Sequence, residues 1–446
     1  MLLNFKNLNS EGVKMNFKNK NLNSVLSSSL VPIIFSILCR IYYYNIYLYS
    51  EYTDTITYIN AGNNLLKGNI DPMRTPVYPL FLQICIKLFS LTYMGVGVVL
   101  IQNIVLIFSI FFFYKICKHF IKSELIVCLA CIAYGCIPSI VNWEFCALTE
   151  TFSIVSIVIF TYLIISYLEK KSYKYLIITS FFMFFMVMLK PAFLVIYAIF
   201  IGFLILNFIL TKQERRKMLL GFISAVISLS LVMGYVEINK YQNNVNEISM
   251  VTDLNNFANI VKAGLYKNGS DEELIQSVND LISNGETPVR AAYEVELKYR
   301  SYNPVNRIGN FNNEILSKYR INYLSYTFLK FKDVYDSPIS IKYADLSEKF
   351  KDKILTSDLL DLNINFYSVY FLLIIELVVI LISWIKKKIV PWGNIGIFSI
   401  ILLQIIASIA FAQGEYPRLV SPILPLLIVI IFKDVDMIIR QTPSAT

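Results

Sequence analysis

The chain has 446 residues, of which 56% are hydrophobic and only 16% charged, and its mean hydropathy is +0.58. That apolar excess points to a membrane protein and excludes an ordinary soluble domain. The net charge of +9 does not imply nucleic acid, because the basic residues fall in short clusters between apolar runs, as topology signals do. The seven cysteines, Cys39, Cys85, Cys117, Cys128, Cys131, Cys136 and Cys146, lie in or beside apolar segments. Cys128 and Cys131 make a CxxC without a partner pair, which fits packing better than metal binding. The single histidine, His119, sits among lysines and argues against His-based catalysis or a His-rich metal site.

The first 24 residues are rich in Asn and Lys (Lys6, Lys14, Lys18, Lys20) and read as a cytoplasmic tail, disordered or interfacial. The first apolar run, Val25–Leu48, lacks a small-residue cleavage site and reads as an anchor. It carries Arg40, which either faces a protein or water-filled interior or snorkels to the surface.

The stretch Glu51–Leu82 follows, an external loop between two apolar segments. Asp54, Tyr58, Ala61 and Leu65 recur at helical spacing and predict one face of a short helix. Thr53 is the expected cap, Asp54 lies in the first turn where the dipole favours a carboxylate, and Gly68 is the stop. Arg74-Thr75-Pro76-Val77-Tyr78-Pro79 cannot continue a helix, since its prolines remove donors and extend the residues before them.

Val77–Leu91 is apolar but short for a hydrocarbon core of about 30 Å, and reads as an interfacial or re-entrant helix. The remaining apolar segments are about 95–114, 124–141, 148–168, 174–189, 191–210, 217–235, 364–385, 393–411 and 418–432. With the first run they predict ten spans and both ends in the cytoplasm. That arrangement puts Lys115/Lys118/Lys122, Lys170/Lys171/Lys174, Lys212/Arg215/Arg216/Lys217, Lys386/Lys387/Lys388 and Lys433/Arg440 all inside, as the positive-inside rule asks. If Val77–Leu91 spanned, every one of those clusters would move outside.

The sequence thus divides into a tail (1–24), a transmembrane module (25–235) with an external loop at 49–94, a polar external region (236–363), closing helices (364–432) and a cytoplasmic tail (433–446). The polar region shows helix-like runs at Glu272–Ser283, Val289–Tyr299 and Asn313–Val334, and can fold as a helical cap that recognises an acceptor. No GxGxxG or Walker sequence supports a soluble nucleotide donor. The topology leaves Arg74, Lys190 and Arg418 on the outer face, where the rule disfavours them, beside Asp54, Glu144, Glu150 and Glu415. Charges of both signs gathered there suit a site for phosphate plus sugar.

The pattern D-x3-Y-x2-A-x3-L-x2-G followed by R-T-P-x-Y-P resembles the first external loop of C-type (GT-C) glycosyltransferases, including protein O-mannosyltransferase-like and aminoarabinose-transferase-like enzymes. Three further pieces extend the resemblance over roughly the first 210 residues and the last 30. Trp143-Glu144-Phe145-Cys146-Ala147-Leu148-Thr149-Glu150-Thr151 matches the second external loop, Leu189-Lys190-Pro191 ends the fifth span, and Gly414-Glu415-Tyr416-Pro417-Arg418 precedes the last span. The family commonly has arginine where Lys190 stands, and lysine offers a point charge without a planar fork.

The resemblance implies an all-α polytopic fold of the GT-C kind and transfer of a sugar from a polyprenyl-phosphate carrier, with inversion and without a nucleotide. Metal use varies across the family, and no ligand cluster here decides for or against a divalent ion. Asp54 would serve as general base or acceptor-positioning group, with Glu150 as second acid and Glu144 as its alternative. Glu150 also reads as a simple helix-start residue. Arg74, Lys190 and Arg418 would meet the lipid phosphate, and Arg418 also reads as an interfacial anchor. Tyr58 and Tyr78 line the sugar site or are interfacial aromatics. The acceptor is an external glycan, lipid or protein, the setting a bacterial cytoplasmic membrane, and nucleic acid plays no part. Two other classes stay open, a surface-polysaccharide polymerase or ligase of another fold, and a transporter or lipid flippase.

Overall fold

A computed structural model describes residues 29–300, 305–339, 364–387 and 390–441. The expected tail 1–24 with its four lysines, Lys388, and residues 340–363 of the polar region lie outside the described residues. Among the described residues the chain is helical throughout, with two isolated β-bridges and no sheet.

Helix α1 (Leu30–Tyr43) ends before the expected Leu48. The chain turns at Tyr44 and runs to Ser50, whose N–H donates to the Phe145 carbonyl (2.9 Å) and whose carbonyl accepts from Ala147 (3.2 Å). That pairing ties the first loop to the second and uses backbone groups a longer helix would have kept. Helices α2 (Thr53–Leu66) and α3 (Val77–Phe89) pack closely, because a Cβ on Gly62 would fall 2.8 Å from the Pro79 carbonyl oxygen. At 13 residues, α3 is about 20 Å long, too short to cross a bilayer core upright.

Next come α4 (Met94–Phe120) and α5 (Glu124–Cys136), which bends by 45° into α6 (Pro138–Val141) and a 3-10 turn ending at Phe145. The bend falls at Ile137, which the following proline pushes out of helical geometry (ψ 137°). Helices α7 (Glu150–Lys170), α8 (Tyr173–Leu189), α9 (Leu194–Leu210) and α10 (Arg215–Asn243) complete the larger group. Helix α7 packs against α4 and α8 and has 72% of its most apolar window buried, so it is the central element. It is apolar all round, as a helix surrounded by others must be.

Helix α10 continues past the expected end at residue 235, and the polar region begins only after Asn243. That region holds α11 (Val251–Lys262), α12 (Glu272–Ser283), α13 (Pro288–Arg300), α14 (Val305–Lys318) and α15 (Arg320–Asp333). The expected single run 313–334 is two helices, because Tyr319 leaves helical geometry (φ −118°, ψ 34°). Phe257, Ile260, Leu274, Val295, Phe311 and Ile315 give the region a core of its own. The chain closes with α16 (Phe366–Lys387), α17 (Trp392–Phe411), α18 (Tyr416–Val420) and α19 (Leu424–Gln441), the last running on past the expected 432.

The ten expected spans fall largely on helical residues where they are described, with 124–141 broken at Ile137, 418–432 broken at Ser421–Ile423, and residues 25–28 of the first outside the described residues. Length and composition qualify six of them to cross a membrane (α4, α7, α9, α10, α16 and α17), and the bent α5–α6 pair makes a seventh. Helices α1 and α8 are shorter, and α19 carries Lys433, Asp434, Asp436 and Arg440 in its second half.

The basic clusters collect at one end of the bundle. There Lys118 pairs with Glu124, His119 meets Glu169 (2.8 Å), and Asp436 accepts from the Lys122 and Ser123 N–H groups (3.1 and 3.2 Å) at the start of α5. Within the helices, Glu376 of α16 pairs with Lys433 of α19 and accepts from Asn394 of α17 (2.8 Å).

Arg40 faces the protein interior, with only 3% exposed. Its Nε donates to Glu144 (3.1 Å), a second nitrogen pairs with the other oxygen of that carboxylate, and Nη1 donates to the Ser36 carbonyl (3.0 Å). Both charges are out of water, so each depends on the other. Arg40→Met alone should therefore destabilise the fold by about 3–5 kcal/mol, read as a lowered Tm in detergent. Arg40→Met with Glu144→Gln should recover much of that loss; no recovery would mean the pairing is not what Arg40 contributes.

Candidate active site

At the opposite end of the bundle, charged residues from four parts of the chain meet. Helix α2 starts after Tyr52, whose extended backbone (φ −122°, ψ 170°) makes it the cap in place of the expected Thr53. Thr55 fixes this start: its Oγ1 accepts from the Tyr52 N–H (3.0 Å) and donates to the Ala147 carbonyl (3.1 Å) in the second loop. Asp54 is thus held in the first turn with its carboxylate beside the positive end of the helix. At the other end, Gly68 takes φ 85° and its N–H and that of Asn69 return to the Leu65 and Asn64 carbonyls (both 3.0 Å). Glycine accepts this left-handed turn without the usual Cβ penalty.

The turn delivers Arg74. Asp71 accepts from the N–H groups of Met73 and Arg74 (2.8 and 2.9 Å), a side-chain mimic of a backbone turn. Asn243 at the end of α10 donates to the Ile70 carbonyl (3.1 Å), and Ser249 to that of Met73 (2.6 Å). The Arg74 guanidinium lies over the Tyr58 ring (4.5 Å), donates to Thr57 Oγ1 (2.8 Å) and reaches Asp54 Oδ1 (2.5 Å). Tyr78 meets Tyr58 edge to face at 5.0 Å. Both tyrosines are buried, so neither is an interfacial anchor.

Glu150 is the first residue of α7 and is wholly buried. Lys190, where α8 breaks before Pro191, brings its Nζ within 3.2 Å of Glu150 Oε1. Arg418 of α18 joins the two halves, using a different nitrogen for each of three carboxylates. Nε donates to Glu150 Oε1 (3.0 Å), Nη2 to Asp54 Oδ2 (2.7 Å) and Nη1 to Glu415 Oε2 (2.9 Å). Glu415 adopts φ 54°, a left-handed conformation costly for a residue with a Cβ, immediately before this helix.

The result is a chain of alternating charge, Arg74–Asp54–Arg418–Glu150–Lys190. Its two acids differ in exposure, 26% for the Asp54 side chain against 1% for Glu150. Among the described residues, Glu150 Oε2 and the Tyr78 hydroxyl are buried without a hydrogen-bond partner, leaving polar capacity beside Glu150. Seven of the eight predicted residues lie in or directly against this network. Glu144 does not; it belongs to the Arg40 pair in the adjoining loop. Thr57 was not singled out, although it stands one helical turn from Asp54. Among the described residues, no three His, Cys, Asp or Glu side chains group to hold a metal ion.

Burial alone would raise the Asp54 pKa, but the Arg74 and Arg418 guanidiniums overcome it and hold the group below the ordinary carboxylate range. A depressed acid contributes stability above its unfolded value near ~3.9 and loses it as pH falls through the lower folded value. The network should therefore survive a drop from about pH 7 to about pH 5. Arg74→Ala should move the acid limb of Tm against pH upward; an unmoved limb would show that Arg74 does not govern Asp54.

Residues 73–235 match the family described as dolichyl-phosphate-mannose-protein mannosyltransferase. Two solved structures of an Archaeoglobus fulgidus oligosaccharyltransferase are similar, each at 11% identity over 96% of this chain. One, tethered to an acceptor peptide containing the NVT sequon, gives a TM-score of 0.50 over 51% of its own length. The other, AglB with an inhibitory peptide and a dolichol-phosphate, gives 0.48 over 52%. The chain thus spans about half the length of the solved structures it matches. No curated protein matches it. The fold is that of a polytopic membrane protein of the GT-C kind, and the family match covers residues 73–235 of the chain.

Proposed function

We propose that this protein transfers a sugar from a polyprenyl-phosphate carrier to an acceptor on the external face of the membrane, a bacterial cytoplasmic membrane in this reading. The observation that carries the proposal is the Arg418 guanidinium shared by Asp54 and Glu150, with Arg74 and Lys190 at either end. Three cations and three acids, Glu415 included, meet there, so an incoming phosphate finds the cations already in place and competes with the acids for them. The basic clusters at the opposite end favour this end as the external one.

In the proposed reaction an acceptor hydroxyl or amine attacks the anomeric carbon as the bond from that carbon to the phosphate oxygen breaks. Polyprenyl phosphate leaves and the configuration inverts. Arg418, Lys190 and Arg74 stabilise charge growing on the departing phosphate. As the phosphate draws these cations, their hold on Asp54 and Glu150 slackens, and the acids turn to the substrates. Asp54, the more exposed acid, receives the acceptor from the aqueous side. Even with that hold relaxed, a carboxylate of ordinary pKa about 3.9 is a weaker base than a phosphate monoester with a second pKa of about 6. Asp54 therefore orients the acceptor, and the proton ends on the leaving phosphate. Glu150 Oε2 and the Tyr78 hydroxyl are placed to bind sugar hydroxyls. A lateral path between helices must admit the lipid tail.

Asp54→Asn should lower transfer on the order of 100-fold, with insertion and abundance unchanged. The assay is reconstituted membrane protein offered candidate polyprenyl-phosphate sugars, with product followed by mass; normal product would remove Asp54 from the chemistry. Lys190→Ala and Arg418→Ala should raise the KM for the lipid donor more than that for the acceptor. Equal effects on both would point to a scaffold role for these cations.

A further inference from the structure

The polar region carries a buried amine that the reading above does not use. Lys330 of α15 is only 4% exposed, yet among the described residues no carboxylate pairs with it. Its Nζ donates instead to the Ala412 carbonyl (2.8 Å), Asn259 Oδ1 (3.1 Å) and the Ala410 carbonyl (3.4 Å). Ala410 and Ala412 are at the C-terminal end of α17, whose last carbonyls lack helical partners and present the negative end of the dipole. Burying an ammonium is costly, and three oxygens with that dipole are the means by which this site accommodates one.

Two neighbours from α11 act on the same segment. Lys262 donates to the Gln413 carbonyl, and Asn259 Nδ2 to that of Ala412 (3.4 Å). Two amines and an amide from the polar region thus grip the backbone of residues 410–413. Gly414 and the left-handed Glu415 follow at once, and then α18 with Arg418. Tyr416 lies between the two sites, its ring 5.8 Å from Lys330 Nζ.

We propose that Lys330 is a positioning residue: by clamping the end of α17 to the polar region, it sets where Arg418 stands between Asp54 and Glu150. The clamp rests on geometry alone; its consequence for donor use rests on the glycosyl-transfer reading. The polar region would thereby be coupled to the site through backbone carbonyls, and an acceptor bound on it would be felt at Arg418.

The test is hydrogen–deuterium exchange on the full chain in lipid nanodiscs, combined with donor and acceptor KM. Lys330→Met, which removes the hydrogen bonds from Nζ to the Ala410 and Ala412 carbonyls, should speed exchange across residues 412–418 by roughly tenfold or more, while α7 and α12 stay unchanged. Lys330→Arg, which keeps the charge and donors, should restore much of the protection. Donor KM should rise several-fold in Lys330→Met with acceptor KM unmoved. Unchanged exchange at 412–418 overturns the clamp whatever the activity. Faster exchange with an unchanged donor KM overturns the link to Arg418. Should Lys330→Met fail to fold, Asn259→Ala removes two of the same contacts and must show the same local change. An inactive wild type would count against the glycosyl-transfer reading and leave the exchange result to decide the clamp.

Discussion

A single guanidinium joins charged side chains from three distant parts of the chain. Arg418 lies 364 residues from Asp54 and 268 from Glu150, and it hydrogen-bonds both while also reaching Glu415. Only arginine fits this position, because three carboxylates in different directions need three separate nitrogens on one rigid plane. Lysine at the same place would satisfy one or two of them and lose the link between the two halves of the network. The remaining architecture serves that meeting: α2 presents Asp54, the centrality of α7 holds Glu150 immobile, and the break before Pro191 turns Lys190 inward.

The two arginine–carboxylate systems near this end of the bundle differ in a way that separates scaffold from site. Arg40 and Glu144 are both sealed and pair through two nitrogens and two oxygens, with further bonds to Ser36. Nothing dissolved can compete there, and the pair fixes the bent segment that leads into Glu150. The Arg418 network is open at the Asp54 and Glu415 end, where side-chain exposure is 26% and 55%. Water and ligands reach those carboxylates, so their bonds can be exchanged for bonds to substrate without first unfolding anything. Similar chemistry in the two places therefore does different work because solvent access differs.

Much of this was legible in the sequence, for identifiable reasons. Apolar length located every large helix, and lysine clustering separated one end of the bundle from the other. Asp54, Tyr58, Arg74 and Tyr78 could be read together because they share one contiguous stretch, where helical spacing and prolines dictate local geometry. Thr53 misled as a cap, since a tertiary bond from Thr55 to Ala147 decided where α2 begins. The partners of Arg40 and the grouping of Glu144 with it were not legible, because α1 and the second loop meet only through packing. Lys330 gave no sign at all. A lysine on a polar, external helix reads as solvated, and its burial depends on α17 ending where α11 and α15 can reach it.

The alternation of charge also bears on how such a site stays folded before substrate arrives. Three cations gathered for a phosphate would repel one another in a partly buried space, and neighbouring acids remove that penalty in the resting protein. Exchanging acid for phosphate keeps the number of charge-assisted bonds roughly constant, so binding need not cost the bundle its packing. In the proposed reaction the same exchange would free Asp54 and Glu150 only when donor is present, which would tie acceptor engagement to donor occupancy. A row of cations alone would bind phosphate more tightly, but it would leave no signal to the acceptor side and would hold the product phosphate too well. Placing the acids between the cations resolves both difficulties with the same side chains.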